Sequence, residues 1–417
     1  MLTEKDKPDA YAVLKFFDFR LFLSARFLLT FSIQMQSVVI AWQVYEITQD
    51  VFSLGLIGLA EAIPFIASAV FAGYVADRYK RQRVIIIAIF VYLIGAILLL
   101  AFSFGYQSFI GLVGVLPLYI VVAMTGIARA FFYPAQLALM AQIVPRSLYA
   151  NSSTWNSTVW HIAAVCGPAA GGLIYGFAGK QIAFSAVVVF VLFSLILFMR
   201  MSAYSHVQNL KDEPLLKSLS TGVKFVFGNQ VILGALSLDM FAVLFGGAVA
   251  MLPVFASDVL FVGPQGLGFL RAAPAIGAII MAVFMAYHPV MKNAGKYLLF
   301  VVAIFGLTII AFAVSKNFYL SIAFLIIGGM ADNVSVIIRS TILQIMTPDE
   351  MRGRVAAVNS IFVGSSNEIG SFESGLAAKI MGLVPSVIFG GSMTFLITGI
   401  MAFFVPQLRN LDLKQKN

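Results

Sequence analysis

The sequence predicts an all-α polytopic membrane protein: about twelve transmembrane helices in two pseudo-symmetric six-helix bundles. Three observations carry this. Composition is the first: 61% of residues are hydrophobic and 11% charged, with a mean hydropathy of +0.97, and no soluble domain of this length could cover its surface with so little polar material. The second is spacing, because apolar runs long enough to cross about 30 Å of hydrocarbon, roughly 20 residues each, recur along the chain. The third is that the chain repeats itself at a long period.

The first six spans are predicted near 20–43, 53–76, 84–104, 114–140, 153–176 and 181–200. The polar stretch 1–15 before them has no small-residue cleavage site, so it is not read as a signal peptide. A more polar stretch, 206–224, carries Lys211, Asp212, Glu213, Pro214 and Lys217. Six further spans follow near 230–254, 265–289, 296–314, 318–340, 355–378 and 384–405. The expected organisation is a first bundle over 1–200, a cytoplasmic linker over 201–228 with an interfacial amphipathic helix, a second bundle over 229–405, and a cytoplasmic tail over 406–417.

The run 73–83 places Asp77, Arg78, Lys80, Arg81 and Arg83 between two apolar segments. Such a run cannot lie in lipid, and short cytoplasmic loops carry the excess of Lys and Arg. With this loop cytoplasmic, only Lys180, Lys316 and Lys379 fall on the opposite face, while Arg26, Arg129 and Arg271 fall inside helices. Both termini are then cytoplasmic. The net charge of +9 is read as this topology signal and not as a nucleic-acid surface, because the bases are scattered through loops. The single cysteine, Cys166, permits no disulfide framework.

A shift of 213 residues lays Leu54, Gly55, Ala69, Val70, Phe71 and Tyr74 on Leu267, Gly268, Ala282, Val283, Phe284 and Tyr287. A shift of 203 lays Gly126, Pro145, Asn156, Gly167 and Gly172 on Gly329, Pro348, Asn359, Gly370 and Gly375. The halves are thus parallel repeats, an architecture that places a binding site near the bilayer midplane.

Over essentially its whole length the chain resembles the major facilitator superfamily. The loop signature of that superfamily is matched by Gly73, Asp77, Arg78 and Arg81, with Lys80 where the pattern has glycine and Gln82, then Arg83, at its end. Its exporter signature, Gly-Pro-x-x-Gly-Gly, is present as Gly167, Pro168, Gly171 and Gly172. The stretches 347–355 and 367–375 look like the branch of bacterial exporters that contains the enterobactin exporter. The resemblance implies alternating access, with the first, fourth, seventh and tenth helices lining a central cavity.

Within that frame each charge has two readings. The run Gly73, Asp77, Arg78, Arg81 and Arg83 is expected to be a conformational latch, Asp77 meeting the start of the eleventh helix around 352–355; the competing reading is a solvated loop. The shift of 213 lays Asp77, Arg78 and Arg81 on Val290, Met291 and Ala294, so the latch is expected to be one-sided. Gly167, Pro168, Gly171 and Gly172 are read either as a hinge or as small-residue packing. Ionisable residues inside spans are functional candidates because burying them costs at least about 2.5 kcal/mol. Arg129, Asp332 and Asp239 lead this group for substrate or proton handling, a static ion pair being the alternative. Glu61, Glu368 and Glu373 are further proton-carrying candidates, and Arg271 could neutralise one of them. His161 and His288 are expected to be structural.

No phosphate-binding loop or spaced Cys/His cluster occurs in the sequence, so an enzyme, a metal site and a cofactor are not expected. The expected activity is secondary active transport: proton-coupled export of a small amphipathic organic molecule, siderophore-like or a drug, across a bacterial inner membrane. The proton gradient supplies the coupling ion, and the protein works as a monomer in the lipid bilayer. The rival readings are an importer or facilitator of the same fold, and a transport-inactive membrane scaffold or sensor.

Overall fold

The computed structural model describes residues 11–104, 114–202, 215–288, 290, 292–348 and 351–413, which are helical with short turns and contain no strand. The first spans are α1 (Phe17–Thr48), α2 (Val51–Arg78), α3 (Arg81–Phe104) and α4 (Leu116–Ile143). The helical run Tyr149–Met199 is broken at Gly179, which has φ 82° and ψ 173°. It therefore holds two spans, α5 (149–178) and α6 (180–199). Among the described residues of the linker stretch, Leu215–Gly228 form α7.

The seventh span is α8 (Gln230–Phe245) continued by α9 (Ala248–Val254) and a π-helical turn, Phe255–Val259. Then come α10 (Gly263–Tyr287), α11 (Ala294–Val314), α12 (Phe318–Met346), α13 (Arg352–Met381), α14 (Leu383–Phe404) and the short α15 (Pro406–Arg409). Ten helical segments among the described residues are long and apolar enough to cross a membrane, Asn151–Met199 counting as one of them. The eleventh span, α13, is not among them, being long enough but too polar to stand out by hydropathy. Its Ser360, Asn367 and Ser371 turn their polar ends back onto carbonyls four residues earlier, at 2.8–2.9 Å, so they need no outside partner.

Local chemistry starts the spans where expected. Asn229 caps α8 by accepting hydrogen bonds from the backbone of Val231 and Ile232 at 3.1 Å, and Asn317 caps α12 from Leu320 N at 3.1 Å. Asp50 does the same for α2, accepting from Phe52 and Ser53. Each such cap satisfies donors that a helix start leaves open.

The repeat also has a backbone form. Gly179 separates the fifth span from the sixth, and Gly382, with φ 89° and ψ 161°, separates the eleventh from the twelfth. These positions are 203 residues apart, the same shift that aligns Gly167 with Gly370. Only glycine occupies this region of φ/ψ without strain. A connection of one residue is possible in each half because one glycine reverses the chain.

By packing, the chain forms two compact units: Met1–Val39 with Ile63–Leu210, and Ile40–Ala62 with Lys211–Asn417. In the first unit α3 packs on α4 and on the α5–α6 run; in the second, α12 packs on α10 and α11, and α11 on α14. The core of the second unit gathers Ile232, Leu236, Leu298, Ile338, Ile342 and Leu408. Here α7 packs on α13 and α8, with Val226 fully buried and Gly222 against the Arg354 backbone.

Candidate functional site

Glycines set the helix seams on which the charged groups are mounted. In the first unit α5 meets α1 at the exporter signature: a Cβ on Gly167 would lie 2.8 Å from Phe31 O, and one on Gly171 2.9 Å from Met35 O. Gly370 of α13, the repeat partner of Gly167, faces α8 in the same way, 2.8 Å from Leu244 O. Close helix approach is therefore one task these residues perform in both halves. Cys166, beside Gly167, is exposed.

In the second unit, α8 and α12 bring opposite charges together. Asp239 and Arg339 form an ion pair whose side chains are 6–7% exposed. Asp332, seven residues before Arg339 on the same face of α12, lies within electrostatic reach of both. Asp239 and Asp332 line a small cavity with Ser335 of α12 and Val302 and Phe305 of α11. Its free space is about 10 Å³, the room of about one water molecule.

Arg339 is not among the sequence candidates. A tenth span drawn to end at 340 puts it on the cytoplasmic face, but α12 runs on to Met346. Arg339 therefore sits two turns inside the helix. The signal available was its spacing of seven from Asp332.

In the first unit Arg129 of α4 lies with its guanidinium 4.7 Å from the Phe65 ring centroid. Arg26 of α1 is 7% exposed and interacts electrostatically with Tyr133 of α4. Among the described residues its Nε and Nη1 have no hydrogen-bond partner. The shift of 213 lays Arg26 on Asp239, and the shift of 203 lays Arg129 on Asp332. Equivalent positions thus carry bases in the first half and acids in the second.

The remaining candidates fall in a third group. Residues 40–62, within the second unit, pack against α13. A Cβ on Gly55 would sit 3.0 Å from Gly375 Cα, and one on Gly58 2.5 Å from Glu368 O. Lys379 Nζ lies 4.7 Å from the Phe52 ring centroid, and Tyr45 donates a hydrogen bond to Asp258. Glu61 is one turn beyond Gly58 on α2. Arg271 of α10 interacts electrostatically with Glu368. Glu373 is half-buried on α13.

Of the latch residues, the side chains of Gly73 and Asp77 lie outside the described residues. Arg81 Nη1 donates to Ala138 O of α4 at 3.1 Å, and Gln82 Nε2 donates to Phe198 O and Met201 O at 2.9 and 3.0 Å. Arg78 and Arg83 are exposed. In the second half Gly295, which the shift of 213 lays on Gln82, meets the backbone of Leu408 and Leu411. Both halves therefore tie the start of their third helix to the end of their sixth.

Residues 9–417 match the family described as transmembrane secretion effector, within the major facilitator superfamily. The chain belongs to this family. It is 24% identical over 395 residues to the enterobactin exporter EntS of Escherichia coli (strain K12), covering 94% of this chain and 92% of that one. Among solved structures it is similar to a POT family transporter in complex with 5-aminolevulinic acid, with a TM-score of 0.75 and 11% identity over 94% of this chain and 96% of that one. It is also similar to a D-xylose-proton symporter, with a TM-score of 0.73 and 16% identity over 95% and 100%. The protein is a multi-pass membrane transporter of the major facilitator fold and not an enzyme.

Proposed function

We propose that this transporter exports a small amphipathic organic molecule, siderophore-like in chemistry, in exchange for protons across a bacterial inner membrane. The observation that carries the reading is the buried Asp239–Arg339 pair with Asp332 beside it. Protonation of Asp239 removes the charge that holds Arg339, so one proton changes the bonding between α8 and α12. Two bases of the first bundle, buried Arg26 and half-buried Arg129, match an anionic or catecholate group on the substrate. Similarity to an enterobactin exporter supports the outward direction. On this reading both termini and the 73–83 run face the cytoplasm, the protein acts as a monomer, and the proton gradient replaces any bound cofactor.

The test is efflux from intact cells of a siderophore panel, then of hydrophobic antibiotics, with and without a protonophore. Wild-type efflux should collapse when the gradient is discharged, and Asp239→Asn should lose gradient-dependent efflux per molecule present in the membrane. Efflux indifferent to the protonophore would overturn proton coupling. Loss of preloaded substrate from acid-loaded everted vesicles, where accumulation is expected, would overturn export.

A further inference from the structure

A groove of about 670 Å³ opens on the first unit between α2, α3 and α4. Its rim is cationic and its walls are hydrocarbon. Arg78, Lys80 and Arg83 stand at the rim, all exposed, while Ile87, Val91 and Ile127 line the walls. Among the described residues no acid lines it, and apart from Tyr79 beside the cations the rest of its lining is apolar. Arg81, the fourth base of the run, is turned aside to the Ala138 carbonyl. From Arg83 to Val91 the groove follows α3 for eight residues, about 12 Å.

We propose that this groove is a binding site for an anionic phospholipid of the leaflet that the 73–83 turn faces. Basic pockets between transmembrane helices select acidic headgroups, and the apolar wall of Val84, Ile87, Val91 and Ile127 suits acyl chains. Ile87 is 64% exposed, and an exposed isoleucine on a membrane-spanning helix faces lipid. A polar substrate would leave its own hydrogen-bonding groups unmatched against these walls. The shift of 213 lays Arg78, Lys80 and Arg83 on Met291, Asn293 and Lys296. The second half thus keeps one of the three cations, and one lipid is expected per chain. The site does not depend on which substrate is carried or in which direction.

The test is native mass spectrometry of the purified full chain with dioleoyl-phosphatidylglycerol, dioleoyl-phosphatidylcholine or inorganic phosphate added. Wild type should retain one phosphatidylglycerol in preference to phosphatidylcholine. The Lys80→Gln/Arg83→Gln double variant should weaken retention about fivefold for each cation removed. Ile87→Trp, which keeps every charge and fills the groove, should also lose the bound lipid. It decides the matter should the double variant fail to give a monodisperse peak. Equal retention of both lipids, unchanged retention in the folded variants, or equal stabilisation by inorganic phosphate alone would overturn the proposal.

Discussion

Removing either charge of the Asp239–Arg339 pair strands the other inside a helix bundle. Loss of one partner of a buried pair costs about 3–5 kcal/mol, whereas loss of both leaves neither member of the pair uncompensated. Asp239→Asn and Arg339→Gln should each lower the unfolding temperature in a fixed detergent. The double variant should recover most of that loss; a double variant as unstable as the sum of the two would mean the pair is not the unit. Hydropathy alone did not reveal the interior position of Arg339, because hydropathy falls at any charge and a buried base reads like a helix end; only its spacing from Asp332 carried a signal. The acids were legible, since a lone Asp amid apolar residues has no ordinary role there.

At the scale of elements, Gly179 and Gly382 invite a paired test. Both hold a backbone conformation that costs other residues about 1–3 kcal/mol, so Gly179→Ala and Gly382→Ala should destabilise by similar amounts in thermal unfolding. A loss at one site and none at the other would break the proposed equivalence of the two junctions. Gly167→Val and Gly370→Val form a second pair. Each inserts a side chain where a Cβ already meets the opposing backbone at 2.8 Å, and overpacking of this kind costs about 1–3 kcal/mol. The sequence places the break between fifth and sixth spans at 177–180, because Lys180 interrupts the apolar run. The left-handed φ behind it was not legible, since glycine is too frequent in membrane helices for one instance to signal a turn. Nor does composition mark α13 strongly, its polar residues being satisfied by its own carbonyls.

For the whole molecule, sequence halves and packing units are different divisions. Repeats divide the chain near the linker, but packing assigns Ile40–Ala62 to the second unit. This could not be read from a repeat, which records common origin and not present neighbours. The division crosses α2 between Ala62 and Ile63, beside Pro64. Proline lacks the N–H that would bond to the Ala60 carbonyl, so α2 is weakest in bending near the crossing. Pro64→Ala should restore that bond and slow transport cycling at unchanged abundance, measured as a lower efflux rate at saturating substrate. An unchanged rate would make Pro64 a local kink with no part in the cycle.

One thiol among 417 residues makes the wild-type chain its own single-site labelling substrate. Cys166 is exposed on the residue next to Gly167, at the seam where α5 rests on α1. An environment-sensitive maleimide attached there reads that seam and no other. If the exporter signature flexes during turnover, the fluorescence of the labelled protein will change when substrate or a pH gradient is applied. A static seam will leave it constant, so the hinge and packing readings of Gly167, Pro168, Gly171 and Gly172 separate on an optical signal that needs no engineered cysteine.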